Sequence, residues 1–182
     1  NYTVPVVFHI FGNDFSGRTV DQAKIIQSLQ DVNEDFAGLN DSLDPNFSSI
    51  EGSMGIVFKH AQIDPDGNTT NGIIFHEYKE GFALNGTRDE DIKRYAWDNK
   101  RYMNVYIQLV IKTGSKNKSG TAWLPITSMT NENTARIVYN GKYLIYSPPA
   151  SSLTHEFGHF FGLHHVFNGG GCVETGGDLV DD

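Results

Sequence analysis

Along much of the chain, short runs of apolar residues are separated by polar segments, a pattern that is typical of β-strands. The clearest run is at 102–111, and turns rich in glycine or aspartate separate several of the others. Pro125 ends one run, as proline does at the edge of a sheet, because it cannot donate to a neighbouring strand. The pattern predicts strands at 4–11, 56–62, 72–78, 102–111, 121–124 and 136–139.

A helical repeat follows the first strand. Thr19 and Gln22 have the spacing of a capping box, and Gly38 is placed to end the helix. A second, polar helix is predicted at 88–98. We expect the first helix to pack one apolar face on the sheet, through Val20, Ala23, Ile26, Leu29, Val32 and Phe36.

The composition fits one packed domain. The chain has 182 residues, of which 38% are hydrophobic, and it shows neither an internal repeat nor a linker. Its formal net charge of −8 repels phosphate backbones and anionic lipid surfaces. No apolar run approaches the roughly 20 residues that a membrane-spanning helix needs. We therefore expect a soluble protein that binds neither nucleic acid nor membranes.

The chemistry is concentrated in a helix predicted to begin near Ser151 or Ser152. His155 and His159 are one helical turn apart, so both imidazoles can reach one metal ion. This geometry suits zinc, which accepts neutral imidazole nitrogens and keeps a fourth position open for water in catalytic sites. Glu156 follows the first histidine and can act on the zinc-bound water as general base, then as general acid.

The third metal ligand predicted from the sequence is His165. An unbroken helix would rotate it away from His155 and His159. Gly162 removes this difficulty, because a glycine with positive φ can end the helix and turn the chain back towards the metal. The neighbouring His164 is expected to lie outside the ligand set.

The complete pattern, His-Glu-x-x-His-x-x-Gly-x-x-His, is the signature of the metzincin metallopeptidases. Within them, the chain resembles the pappalysin family. The resemblance implies an α+β fold, with a twisted, mostly parallel mixed sheet, a backing helix and an active-site zinc helix. The segments that carry it run nearly end to end, at 4–9, 33–36, 64–67, 71–73, 96–98, 103–106, 120–125 and 177–182.

Carried over to this chain, the resemblance implies the zinc ligands His155, His159 and His165 and the general base Glu156. It also implies that an edge strand near 121–124 pairs with a protein or peptide substrate in extended conformation. The substrate-binding residues that we expect there are Thr121, Ala122 and Trp123.

The chain departs from the family pattern after the third histidine. Metzincins place a methionine turn beneath the zinc at that point, whereas Met54, Met103 and Met129 all precede the motif. We expect one catalytic domain at 1–182, with an N-terminal subdomain to about 165 and only the beginning of a C-terminal subdomain at 166–182. Cys172, the one cysteine, resembles a family cysteine that pairs with a later one, so a C-terminal fragment linked through it is a candidate partner.

The acidic residues near the C-terminus leave two possibilities open. They could bind calcium through oxygen ligands, as pappalysin-like domains often do, or they could form a solvated acidic loop. No ligand is assigned individually among Glu174, Asp178, Asp181 and Asp182.

These observations predict a secreted zinc endopeptidase that hydrolyses peptide bonds with water activated by Glu156. The alternative is a zinc-bearing but inactive fragment that needs its C-terminal subdomain and only binds peptide. A calcium-dependent adhesion module would leave Glu156 and Gly162 unexplained.

Overall fold

The computed structural model describes residues 1–15, 17–39, 46, 52, 54–79, 89–109, 119–123, 126–145, 150–165 and 168. Six strands, four α-helices and one 3₁₀ helix lie in this part of the chain. In chain order they are β1 (Tyr2–Phe11), α1 (Gln22–Phe36), β2 (Ile56–His60), β3 (Ile73–His76), α2 (Asp89–Lys93), β4 (Met103–Gln108), β5 (Gly120–Ala122), α3 (Thr127–Asn131), β6 (Ile137–Asn140), the 3₁₀ helix (Gly141–Ile145) and α4 (Ala150–Phe160).

The strands form a single mixed sheet in the order β2-β1-β4-β6-β5. The long strand β1 also pairs with β3, through its second half. Among the strands of the described residues, all pairs are parallel except β5 with β6, which is antiparallel and places β5 at the edge. The predicted α+β fold with a mostly parallel mixed sheet is confirmed.

Helix α1 packs on one face of the sheet, as the backing helix was expected to do. Its start was predicted wrongly, because the N-cap is Asp21, whose carboxylate accepts a hydrogen bond from Lys24 N at 2.8 Å, and Thr19 has no such role. Ile25 lies fully buried in the core, whereas Ile26 is 45% exposed. The apolar stripe of α1 is therefore rotated by one residue at this turn, and its buried members are Ile25, Leu29, Val32 and Phe36.

Asn33 joins α1 to the outer strand β2. Its amide donates to Phe58 O and to Leu29 O, both at 2.9 Å, and its carbonyl accepts from Phe58 N at 2.7 Å. The side chain thus satisfies both peptide groups that Phe58 presents at the edge of the sheet. Unpaired peptide groups at an edge can pair with other chains, and Asn33 removes that opportunity here.

Helix α4 lies beside α1 on the same face of the sheet. Thr154 Oγ1 donates to Asp35 Oδ2 near the C-terminal end of α1, and the ring of Phe157 packs edge-on against Phe58. Phe157 and Leu153 are buried in the same core as β1, β4 and β6. This packing fixes the helix that carries the histidine motif against the centre of the fold.

A second, smaller set of contacts covers the opposite face of the sheet. There His9 is 1% exposed and joins β1 to β3 and β4 through His76 and Asn104. The polar helix predicted at 88–98 is only the short α2 (Asp89–Lys93), while α3 and the 3₁₀ helix were not predicted.

Several predictions fall outside the described residues. They concern Leu124, Cys172 and the acidic residues Glu174, Asp178, Asp181 and Asp182. The division into subdomains at 165/166 coincides with the end of the described continuous chain and stays a prediction. No helix among the described residues has the length and apolar character required to cross a membrane.

Candidate active site

Helix α4 presents the first two histidines of the motif on one face. His155 is exposed and His159 is half-buried, and their ring centroids lie 4.3 Å apart. The flanking Phe157 and Phe160 are buried on the opposite side of the helix. The phenylalanines of the motif therefore pack the helix on the core, while its histidines lie on the outer side.

A tight turn directly after α4 brings the third histidine back. Gly162 has a φ of +95°. Leu163 N donates to Gly158 O at 3.1 Å and Gly162 N donates to His159 O at 2.9 Å. This pair of hydrogen bonds is the Schellman motif, in which glycine is strongly favoured because other residues are strained at positive φ. The chain reverses at Gly162, as predicted.

The three imidazoles converge on one point. His165 Nε2 lies 3.1 Å from His155 Nε2 and 3.0 Å from His159 Nε2. The candidate ligand atoms of the three residues all lie within 4.8 Å of one another. Three tetrahedral ligands at the zinc–nitrogen distance would lie about 3.3 Å apart, so the donor set and its spacing fit this metal. His164, which is half-buried, is not a member of the group.

The ring orientation of His159 is fixed by the turn itself. Its Nδ1 lies 2.6 Å from Leu163 O, and since a carbonyl only accepts, Nδ1 carries the proton and Nε2 keeps its lone pair. Partial burial, together with the neighbouring His159 and His165, lowers the pKa of His155 below its usual value. The hydrogen bond of His159 thus selects the tautomer that directs Nε2 to a metal ion, and the lowered pKa of His155 favours its neutral form, which binds metal ions.

Glu156 points away from solvent, under the edge of the sheet. It is 6% exposed, and its carboxyl group lies against the main chain of Gly120 at the start of β5. A Cβ atom at residue 120 would stand 2.6 Å from Glu156 Cγ and 2.8 Å from Oε1, so any larger residue there would displace the side chain of Glu156. Helix α4 thus brings the candidate base and the edge strand into direct contact.

Strand β5 leaves some of its peptide groups free of β6. Trp123 N donates to Arg136 O at 2.9 Å, and Ser119 O accepts from Asn140 N at 2.7 Å. Alternate residues of an antiparallel strand face the same neighbour, so Gly120 and Ala122 direct their main-chain groups towards the open edge. Thr121 Oγ1 donates to Gly120 O at 2.8 Å.

The ring of Trp123 packs on the opposite face of the sheet. The guanidinium carbon of the buried Arg136 lies 3.9 Å from its centroid, a cation–π contact, and Tyr106 and Val138 belong to the same apolar cluster. A role for Thr121, Ala122 and Trp123 in substrate binding stays a prediction. Among these three, Ala122 has the main-chain groups that face the open edge.

A cleft of about 500 Å³ opens beside the histidines. It extends from His155 and His159 to the C-terminal end of α1, so the histidine group can be reached from outside. The other described residues that line it are Asp35, Phe36, Gly52, Met54, Thr154, Gly158, Leu163 and His164.

The sequence argument missed two residues that build this site. Gly120 was noticed only as part of a shared segment, although a glycine at a strand position signals a close approach of another group to the backbone. Leu163 contributes through its carbonyl oxygen, which no side-chain pattern can reveal.

Known proteins share sequence and fold with this chain. The family model described as pregnancy-associated plasma protein-A, peptidase M43, matches residues 86–182. Extracellular metalloproteases of Arthroderma benhamiae and Trichophyton verrucosum are each 25% identical over 192 aligned residues. Each alignment covers 100% of this chain and 54% of the relative, so the chain spans about half the length of these proteins.

Solved structures give the same result. Tannerella forsythia mature mirolysin in complex with a cleaved peptide superposes with a TM-score of 0.82 at 30% identity, over 100% of this chain and 70% of that one. Mirolysin in complex with compound 9 gives 0.81 at 28% identity, over 98% and 70% of the respective chains. With the matching family model, these similarities show that the chain belongs to the pregnancy-associated plasma protein-A family, the pappalysins among the metzincin metallopeptidases.

Proposed function

We propose that this chain forms the catalytic part of a secreted zinc endopeptidase that hydrolyses peptide bonds with water activated by Glu156. The observation that carries the proposal is the convergence of His155, His159 and His165 next to the buried carboxyl group of Glu156. Three imidazoles are a common ligand set of catalytic zinc sites, which keep a position open for water or substrate.

In this proposal His155, His159 and His165 hold the zinc ion through Nε2. The N···N distances of 3.0 and 3.1 Å and the proton on His159 Nδ1 support this assignment. A bound zinc ion supplies Lewis acidity, which acidifies water and polarises the scissile carbonyl group. Calcium remains a prediction from the acidic residues near the C-terminus.

Glu156 performs the proton transfers. Its carboxylate takes a proton from the attacking water and returns it to the amine that leaves when the peptide bond breaks. Its burial favours this role, because a base held in one place and shielded from bulk water needs little reorganisation during the reaction. The contact with Gly120 restricts where the carboxyl group can lie.

The substrate we propose is an extended segment of a protein or peptide. It would add as a further strand at the edge of β5 and hydrogen-bond the outward-facing groups of Gly120 and Ala122. Glu156 lies against Gly120, so a segment paired at this edge passes close to the base. The complex of mirolysin with a cleaved peptide supports the same class of substrate.

Secretion is proposed from the relatives. The two that align with the whole of this chain are named extracellular metalloproteases. Detection of the protein in the culture medium of its source cells, but not in washed cells, would support this location.

The deciding experiment is digestion of a mixed peptide pool by the full-length protein with stoichiometric zinc, followed by mass spectrometry. Glu156→Ala should retain zinc and lose at least about 10²-fold in rate, as loss of a general base does. Glu90→Ala is the matched control, since Glu90 is an exposed glutamate on α2. A chelator should abolish cleavage and added zinc should restore it.

Two results would contradict the proposal. Retained activity in Glu156→Ala would remove the base from the mechanism. If the wild-type protein binds zinc and peptide but does not cleave the peptide, the alternative of an inactive protein that only binds peptide would be supported.

A further inference from the structure

Tyr139 lies at the centre of β6, on the face of the sheet that α4 covers. It is fully buried, and its hydroxyl group forms a hydrogen bond with Ser152 Oγ on α4. Tyrosine is one of the largest side chains in this core, and its hydroxyl requires a polar partner when buried. From the sequence, Ser152 was expected only near the start of the helix, and Tyr139 only at the end of a strand.

Ser152 stands one helical turn before Glu156 on α4. Residues four apart share a face of a helix, so the hydroxyl pair and the carboxyl group lie on the same side. Burial raises the pKa of Tyr139 to about 12, and the nearby carboxylate of Glu156 contributes to the rise. The phenol is therefore neutral at neutral pH and can donate its hydrogen bond.

The register of β5 against β6 also relates Tyr139 to Glu156. Gly120 and Tyr139 are directly opposite one another in the β5–β6 pair, so residues 120 and 139 point to the same face. The carboxyl group of Glu156 occupies the space over Gly120. Glu156 is thus confined by the main chain of β5 and by the face that carries Tyr139.

We propose that Tyr139 and Ser152 are positioning residues for Glu156, which hold the helix turn and the carboxyl group in the orientation needed for proton transfer. This inference rests on the proposed function of Glu156 as the base. Tyr139 is fully buried on β6, one strand in from the edge of β5 where the substrate would pair. Their loss should lower kcat and leave KM nearly unchanged, because misplacement of a catalytic group slows the reaction and spares binding.

The experiment compares four variants of the full-length, zinc-loaded protein. Tyr139→Phe and Ser152→Ala each remove one hydroxyl group of the pair, and Ser152→Thr keeps it. Tyr106→Phe is the matched control, because Tyr106 is also fully buried but lies in the cluster on the opposite face of the sheet. Zinc content, kcat and KM are measured for each variant.

We expect a fall in kcat of about 10-fold for Tyr139→Phe and Ser152→Ala, with KM within about twofold. Ser152→Thr should recover most of kcat, and Tyr106→Phe should change neither constant. Unchanged kcat in Tyr139→Phe, or an equal loss in Tyr106→Phe, would overturn the inference.

A second measurement does not depend on activity. Thermal unfolding of the zinc-free protein is followed for Tyr139→Phe, Glu156→Ala and the double variant. Coupled residues give non-additive losses, and we expect the double variant to differ from the sum by at least about 2 °C. Additive losses would overturn the positioning role even in an active enzyme. Non-additive losses without cleavage by the wild type would overturn the proposed function and leave the coupling of Tyr139 to Glu156 established.

Discussion

The carboxyl group of Glu156 lies so close to the main chain of Gly120 that a side chain at residue 120 would displace it. A Cβ atom there would stand 2.6 Å from Glu156 Cγ and 2.8 Å from Cδ and Oε1. Because Gly120 also begins the edge strand β5, one glycine connects the candidate base to the strand proposed to pair with substrate. The buried position of the base therefore depends on a residue far from it in sequence.

Gly120→Ala should consequently destabilise the protein and displace Glu156. Overpacking of this kind costs about 1–3 kcal/mol, and we expect kcat to fall at least about 10-fold while zinc is retained. The measurement is urea unfolding of Gly120→Ala in the wild-type and Glu156→Ala backgrounds. Glu156→Ala removes every side-chain atom beyond Cβ, so the cost of Gly120→Ala should nearly vanish there. An equal cost in both backgrounds would show that the contact with Glu156 is not its cause.

The two glycines near the end of α4 should respond to alanine in opposite ways. Gly162 has a φ of +95°, and no atom lies within 4 Å of an added Cβ, so Gly162→Ala introduces backbone strain alone. That strain lowers the free energy of unfolding by about 1–2 kcal/mol. Because the same turn places His165, we expect weaker zinc binding as well.

Gly158→Ala is the matched control for this prediction. Gly158 lies inside α4, and its nearest neighbour, Leu163 Cδ1, would stand 3.4 Å from an added Cβ. Alanine in a helix interior is favoured over glycine by about 0.5–1 kcal/mol. Zinc titration and urea unfolding of both variants check the pair. If Gly162→Ala and the wild type bind zinc with equal affinity, the conformation of the turn does not determine zinc binding.

Asn33→Ala should weaken the contact between β2 and α1 and lower the free energy of unfolding. It removes three hydrogen bonds, and Phe58 then loses both partners at the sheet edge. Leaving such groups unsatisfied costs about 1–3 kcal/mol, and urea unfolding should show a loss in this range. Gln30→Ala is the control on the same helix, because the amide of the exposed Gln30 donates to the exposed Glu34 Oε1, at 2.8 Å, and does not join α1 to β2 through this bond. If the two variants lose the same stability, Asn33 does not hold the edge.

The six strands and the helices α1 and α4 could be predicted because each is encoded locally, whereas the short α3 and the 3₁₀ helix were missed. The apolar run of β4, the helical repeat of α1 and the motif on α4 each carry their own pattern. Boundaries were less certain, as the N-cap at Asp21 shows, since several polar residues there can compete to cap a helix.

The histidine motif could also be identified from the sequence, because one helix and one turn hold all three imidazoles. The residues that position Glu156 could not be identified from the sequence, because their contacts join segments that are far apart along the chain. Gly120 and Tyr139 become neighbours of the base only when β5 pairs with β6 in one particular register. A single sequence contains no signal for that register, so these residues were found only in the structure.

The buried pair of His9 and His76 should make the protein less stable in acid. His9 Nδ1 lies 3.1 Å from His76 Nε2, and His9 Nε2 lies 3.2 Å from Asn104 Oδ1. Asn104 Oδ1 can only accept, so His9 Nε2 carries a proton, and in the neutral ring Nδ1 accepts a hydrogen bond from His76. Burial, reinforced by His76, lowers the pKa of His9 from 6.5 to about 3. Burial and the nearby Lys79 lower the pKa of His76 as well.

The sign of the pH effect follows from the unfolded state. Between pH 6.5 and pH 3 the unfolded chain binds a proton at residue 9 that the folded protein excludes. Stability is therefore complete above pH 6.5 and is lost as the pH falls, by about 2 kcal/mol from His9 between pH 7 and pH 5. His76 adds a loss in the same direction.

Urea unfolding of the zinc-free protein at pH 7, 6 and 5 measures this loss without interference from metal release. His9→Gln retains a donor for Asn104 and cannot be protonated, so its stability should change less with pH than that of the wild type. His164→Gln, outside the buried pair, should keep the wild-type dependence. If His9→Gln and wild type lose stability equally between pH 7 and pH 5, the acid sensitivity does not arise from His9.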